Sequence, residues 1–329
     1  MKYTSDVYHS NDENKFLLKL KQELREKFKD CNKIAIKIHF GEPGNKTAFK
    51  PEDIKPITEL LKKIGIDFFL FDSTVKYNSP RNNVEGYKKS AKKQGWEELG
   101  EVRISNKHVD VEGKYIPVYE VCKELADADA VLVVSHFKGH LCCGFGGAVK
   151  NLGMGALTSK SKGDIHSGGE PVMVGECTAC GLCADACPFD AIEIKEKAEI
   201  TGYCAGCSRC IITCPNNVFK PKIANLDILL GEGAAAAQSK FKKFYYISVL
   251  KNITKWCDCG KNPGGIIAKD NGFMMSSDGV SIDMAAHDVI EKSEGKDVFL
   301  QHNLKTGKEH LEAAAEFGMG EKEYHLKEI

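Results

Sequence analysis

The chain has 329 residues, 42% of them hydrophobic, and its 46 basic and 46 acidic side chains cancel to a formal net charge of zero. That length suggests about two domains, and the lack of a basic excess or stripe argues against a nucleic-acid binder. No stretch approaches ~18 uninterrupted apolar residues, so no membrane span is expected, and the polar opening Met1-Lys2-Tyr3-Thr4-Ser5-Asp6 lacks a secretory pattern, so a cytoplasmic protein is expected.

Residues 11–30 carry Leu17, Leu20, Leu24 and Phe28 at three- and four-residue steps and predict an amphipathic helix. A strand follows, with Ile34, Ile36 and Ile38 alternating against Ala35, Lys37 and His39. Pro51 opens a helix with the stripe Ile54, Ile57, Leu61 and Ile64, and Gly65 ends it. A strand over 67–71 completes a βαβ unit, for which a parallel pair and a right-handed crossover are expected. Next come a helix near 83–94, a strand near 102–105, a helical stretch over 119–126 and an apolar strand over 130–134 that suits burial on both faces. Glycines crowd 144–157, and a cysteine-rich block fills roughly 170–222. Beyond it the pattern predicts an alanine-rich helix (233–243), strands at 245–250 and 265–268, and helices near 281–293 and 308–317. Alternation on both sides of the block predicts an α/β fold with a mostly parallel sheet and flanking helices. Residues 1–169 and 223–329 would form this discontinuous domain, with an α+β ferredoxin-like module inserted at 170–222. Three domains in series would leave the last ~105 residues too few strands for a sheet of their own.

Fourteen cysteines are present, and in a reducing cytosol regular spacing points to metal rather than disulfides. Cys177, Cys180, Cys183 and Cys187 precede Pro188; Cys204, Cys207, Cys210 and Cys214 precede Pro215. Each cysteine of the second run stands 27 residues after its counterpart (177 to 204, 180 to 207). In this bacterial two-cluster spacing the fourth cysteine of each run ligates the other cluster. Cys177, Cys180, Cys183 and Cys214 are thus assigned to one [4Fe–4S] cluster, and Cys204, Cys207, Cys210 and Cys187 to the second. A pair of zinc sites is the alternative, but zinc motifs usually pair two C-x-x-C units without the longer spacing and the following proline. The runs predict electron transfer under reducing conditions, in an anaerobe or a strongly reducing cytosol, because oxygen attacks clusters and thiols alike.

Open parallel sheets bind ligands beyond the carboxyl ends of their strands, so those loops are read together. His39 and Glu42 follow the first predicted strand; Asp72, Tyr77 and Arg81 follow the second. His136, Lys138 and His140 follow the strand over 130–134, and the chain runs on through Cys142, Cys143 and a glycine-rich stretch to Lys150 and Asn151. Cys257 and Cys259 follow the strand over 245–250. Only four of the 46 basic residues are arginine, which singles out Arg81. These residues are candidates for acid–base work and for holding an anionic substrate, with turn residues and packing as the alternative. The glycine-rich stretch is suited to cradle an anion or to pack tightly; it is not a Walker A loop, and no G-x-G-x-x-G follows a strand. Cys257 and Cys259 are candidate metal ligands or a redox dithiol. Cys31 and Cys122 read as structural thiols; Cys142, Cys143 and His166 carry a weaker signal.

The segments KIHFGEPGNKT, SHFKGH, GFGGAVKNLGMG, the C-x-C at 257–259 and SSDGVSIDMAAHD resemble the domain of unknown function 362. They resemble most its ferredoxin-containing branch of iron–sulfur centre proteins from anaerobic bacteria and archaea. The resemblance spans almost the whole chain. It implies an α/β main domain, two [4Fe–4S] clusters and a pocket on the main domain, and it supplies no reaction. By motif position its characteristic residues fall on His39, Glu42, Asp72, Arg81, His136, Lys138, His140, Lys150, Asn151, Cys257, Cys259, Asp278 and Asp283.

Three functions are compatible with these readings. The first is a ferredoxin-linked oxidoreductase that passes electrons to an anionic substrate or a metal at the strand ends. The second is a non-catalytic carrier or adaptor that docks a redox partner protein, and the third is a handler of metal or clusters.

Overall fold

The computed structural model describes residues 4–329; Met1, Lys2 and Tyr3 of the polar opening lie outside the described residues. Eight strands form the central sheet: β1 (Ser5–Ser10), β2 (Lys33–Lys37), β3 (Asp67–Asp72), β4 (Glu101–Ile104), β5 (Val131–His136), β6 (Phe244–Val249), β7 (Phe273–Ser276) and β8 (Tyr324–Glu328). Their spatial order is β8-β1-β7-β6-β5-β2-β3-β4. Only β7 runs against its neighbours; all other neighbouring pairs are parallel.

The main helices are α1 (Glu13–Lys27), α2 (Pro51–Ile64), α3 (Val84–Lys93), α4 (Ala148–Gly155), α5 (Ser159–Gly168), α6 (Leu226–Gln238), α7 (Gly279–Glu294) and α8 (Lys308–Glu316). On one face of the sheet Ile34, Ile36, Leu132, Val134 and Ile247 pack against Leu20 of α1, Ile57 of α2 and Tyr87 of α3. On the other, Ala35, Phe69, Val131, Val133 and Tyr246 meet Leu152 of α4, Leu230 of α6 and Ile282 of α7. Burial on both faces is why the run at 130–134 is apolar without alternation.

β2, β3 and β4 step outward in one direction and β5 and β6 in the other. The sheet therefore has its topological switch point between β2 and β5, where doubly wound folds open a crevice.

Several elements differ from the sequence expectation. Residues 118–122 are a strand paired with His108–Glu112, and only Lys123–Asp127 is helical. Tyr119 and Val121 are buried while Val118 and Glu120 are half-buried, a period of two that outweighs the helical reading. Inside the glycine-rich stretch α4 forms because Asp283 of α7 accepts from its first amides, Ala148 N (2.8 Å) and Val149 N (2.9 Å). That cap comes from 135 residues away and leaves no local signal. At 265–268 there is no strand, only the bridge between Thr254 and Ile266. β1, β7 and β8 were not foreseen; β8 is a largely exposed, polar edge strand, and β7 spans only four residues.

The block at 170–222 leaves and rejoins the main body side by side. Pro171–Met173 pairs antiparallel with Phe219–Pro221, and Ile223 N donates to Gly168 O (2.8 Å). Between them lie the hairpin Ile192–Ile194/Ala198–Ile200 and the short helices Leu182–Asp185 and Arg209–Thr213. Among the described residues no helix is long and apolar enough to cross a membrane.

Candidate functional site

Two cavities lie in the cysteine block. One, with about 350 Å³ of empty space partly open to solvent, is lined by Cys187, Cys204, Cys207 and Cys210. The other, about 310 Å³ on the same measure, is lined by Cys177, Cys180, Cys183 and Cys214. Each cavity thus takes three sulfurs from one run and the fourth from the other.

The backbone around them repeats as well. Ala179, Gly181 and Asp190 have left-handed φ of 54°, 87° and 49°, and Gly206, Ser208 and Asn217, each 27 residues later, have 62°, 63° and 51°. A non-glycine residue in that region costs roughly 1 kcal/mol or more. Several amides point at the sulfurs: Ala179 N and Ala198 N at Cys177 Sγ, Ala191 N at Cys187 Sγ and Gly206 N at Cys204 Sγ, all at 3.4 Å. Burial, with the neighbouring Cys207 and Cys204 sulfurs, pushes the Cys210 thiol up to about 12. Four such groups become thiolates together only around positive charge, and soft thiolate sets select iron–sulfur clusters or zinc.

At the switch point the loops after β2, β3, β5 and β6 converge. Lys37 is fully buried and bonds Asp72 (3.0 Å) and Asn151 Oδ1 (2.8 Å). Burial would raise the Asp72 carboxyl, but Lys37 and His39, with the Tyr87 hydroxyl, hold it at about 2. Arg81, also fully buried, gives Nε and Nη2 to Glu42 Oε2 (2.9 and 2.7 Å) and reaches Tyr77 and the Cys259 carbonyl. His136 stacks on Phe49 (4.3 Å between centroids) and bonds Asp258 Oδ2 through Nδ1 (2.9 Å); Lys138 Nζ meets Asp258 Oδ1 at 2.5 Å. Despite burial, His136 and Lys138 hold the Asp258 carboxyl at about 2.

His39, His140, Lys150, Asn151, Cys257 and Cys259, on these same loops and the helix that follows β5, are only half-buried. Lys150 Nζ lies 3.1 Å from Cys259 Sγ. The ligand atoms of His140, Cys257 and Cys259 lie within 4.8 Å of one another, close enough to meet on one metal ion. The hydrogen bond between the two thiol groups splits their acidities. Cys259, further supported by Lys150, His140 and His39, is held well below the ordinary thiol range, and Cys257 is pushed well above it.

The second cysteine run is fastened to the same region. His166 Nδ1 meets Ala205 O (2.8 Å), Arg209 Nη2 donates to Leu141 O (2.7 Å), and Lys305 Nζ donates to both Cys142 O and Cys207 O (3.1 Å each). Asp278 and Asp283 lie away from the cleft chemistry: each caps a helix, Asp278 at α7 and Asp283 at α4. Cys31 and Cys122 are buried, and burial raises both thiols. Sequence reasoning missed Asp258, Lys37, Tyr87 and Lys162. Asp258 sits between the two cysteines and Lys37 interrupts an apolar strand, so both left a readable signal; Tyr87 and Lys162 look like ordinary helix residues.

A domain of unknown function, DUF362, matches residues 34–288, and the chain belongs to that family. No curated protein matches it. Among solved structures it is similar to a structural-genomics protein from Thermotoga maritima, with 11% identity, a TM-score of 0.45, 85% of this chain covered and 59% of that one. It is also similar to the lactate racemase apoprotein from Thermoanaerobacterium thermosaccharolyticum, with 11% identity, a TM-score of 0.35, 74% of this chain covered and 50% of that one. The chain thus spans under two thirds of the length of either.

Proposed function

We propose that this chain is an iron–sulfur electron-transfer protein, a ferredoxin-linked oxidoreductase whose inserted module at 170–222 serves the cleft at the strand ends. Cys177, Cys180, Cys183 and Cys214 would hold one [4Fe–4S] cluster, and Cys187, Cys204, Cys207 and Cys210 the other. The observation that carries this reading is the crossed lining of the two cavities, the pattern that two-cluster ferredoxin spacing requires. Such clusters supply one-electron transfer.

The chain's own residues do the rest. Amides turned inward by the left-handed positions stabilise charge on the sulfurs. His166, Arg209 and Lys305 fix the second run against the segment carrying His140, so that the module and the cleft stay in register. In the cleft, half-buried His39, His140 and Lys150 are placed to hold an anionic group or move a proton. Buried Arg81 and Lys138 are already held by Glu42 and Asp258 and act as scaffold.

The test is anaerobic purification, quantitation of iron, sulfide, zinc and nickel per chain, and EPR after dithionite reduction. About eight irons and eight sulfides are expected from two four-iron clusters. Stoichiometric zinc with no sulfide would overturn the assignment.

A further inference from the structure

The hydrogen bonds around Cys259 decide between two roles for the C-x-C. Cys142 N and Cys143 N donate to His140 Nδ1 at 3.2 and 3.3 Å. A ring whose Nδ1 accepts is neutral and carries its hydrogen on Nε2. The His140 ring, whose ligand atom lies within 4.8 Å of Cys259 Sγ, therefore carries an N–H at Nε2. A histidine that binds metal needs the opposite arrangement, a free lone pair facing the ion and a hydrogen donated from the other nitrogen. His39 differs: Arg81 Nη1 donates to its Nε2 at 2.9 Å, so that nitrogen accepts and offers no hydrogen.

Charge pairing gives an independent argument. Lys37, Arg81 and Lys138 each face a buried carboxylate: Asp72, Glu42 and Asp258. Lys150 has no carboxylate partner among the described residues; its hydrogen-bond partner is Cys259 Sγ. The cleft thus assigns one cation to a thiolate. Cys257 lies beside it, its Sγ within 4.8 Å of Cys259 Sγ, and Cys259 N donates to Cys257 Sγ at 3.4 Å.

We propose that Cys257 and Cys259 form a redox dithiol that reduces disulfides, with Cys259 as the attacking thiolate, Cys257 as the resolving thiol, and Lys150 and His140 as positioning residues. Cys259 Sγ attacks one sulfur of a disulfide R–S–S–R, the S–S bond breaks, and one R–S⁻ leaves and takes up a proton. Cys257 gives up its proton and attacks Cys259 Sγ, which expels the second R–S⁻ and closes the Cys257–Cys259 disulfide. The dithiol loses two electrons and the substrate gains two. Two electrons, delivered one at a time by a low-potential donor of the iron–sulfur class, and two protons from solvent restore the dithiol. The proposal rests on the electron-transfer reading only for that supply.

The experiment uses anaerobically purified full-length protein whose iron and sulfide have been counted. Oxidised glutathione and 5,5′-dithiobis(2-nitrobenzoate) are offered in parallel, and the acid-quenched protein is peptide-mapped. A Cys257–Cys259 disulfide is expected in the wild type. Cys257→Ser should trap a mixed disulfide on Cys259, and Cys259→Ser should abolish the exchange. In the Cys257→Ser background, Lys150→Met should slow trapping about tenfold, as for roughly one unit of thiol acidity, and Lys150→Arg should restore most of it. Labelling of Cys257 first, no disulfide with either probe, or a stoichiometric metal ion lost in Cys257→Ser and Cys259→Ser would overturn the proposal. Loss of iron and sulfide with exchange intact would instead count against the cluster reading alone.

Discussion

Asp258→Asn tests how the cleft is held together. The substitution keeps the shape of the side chain and removes the charge that Lys138 and His136 share. Lys138 is 1% exposed and Asp258 5% exposed, so the lysine is left as a buried cation facing a neutral amide, with Thr47 O (2.7 Å) and Thr47 Oγ1 (3.2 Å) as its other acceptors. Breaking a buried pair from one side costs roughly 3–5 kcal/mol. At about 2 °C per kcal/mol for a chain of this size, the midpoint of thermal unfolding should fall by about 6–10 °C. The assay is anaerobic unfolding followed by circular dichroism. The wild-type acid limb gives a second estimate of the same pair. The folded carboxyl sits at about 2 against an ordinary 3.8, so its contribution is complete above pH 3.8 and is lost as pH falls toward 2. That shift is worth about 2 kcal/mol, the same order as the mutational cost. Adding Lys138→Met removes the stranded cation and should recover most of the loss. A midpoint for Asp258→Asn within about 1 °C of wild type, or a double variant no more stable than the single one, would refute the pairing argument.

The crossed cavities predict that Cys183→Ala and Cys214→Ala, though 31 positions apart (183 to 214), delete the same EPR signal, while Cys187→Ala and Cys210→Ala delete the other. Pairing by run instead would refute the crossed ligation. Lys162, whose Nζ bonds Ser73 Oγ (2.8 Å) and Thr74 O (2.6 Å), is lowered by burial from 10.5 to about 8. Between those values the unfolded chain binds more protons, so stability should rise from pH 8 to 10.5 by up to about 3 kcal/mol. Urea unfolding across that range should show the slope, and Lys162→Met should flatten it.

The parts of the fold that could be read from sequence are those specified locally. α1 and α2 announce themselves through their stripes, Asp12 and Pro51 mark their starts, and β5 through unbroken apolarity. α4 could not be read, because its cap arrives from Asp283 and its glycines argue against a helix. β1, β7 and β8 are strands chiefly because they complete a sheet edge for one another, with the N- and C-terminal segments meeting through Ser5↔Tyr324 and its successors. No short window of residues encodes such a pairing.

The same distinction separates the two sites. The cysteine runs are legible because a cluster takes three ligands from seven consecutive residues (177 to 183, 204 to 210), and spacing alone fixes the chemistry. The cleft is legible only as a set of positions beyond strand ends, since its chemistry depends on which partner each group meets. Arg81 reads as a substrate anchor until Glu42, 39 residues away, is seen to hold it. Lys150 reads as one cation among several until its neighbours prove to be paired and Cys259, 109 residues away, takes its proton donors. Tautomers go further still: whether His140 offers a lone pair or an N–H to Cys259 is settled by two backbone amides at Cys142 and Cys143, whose donation to Nδ1 no side-chain pattern records.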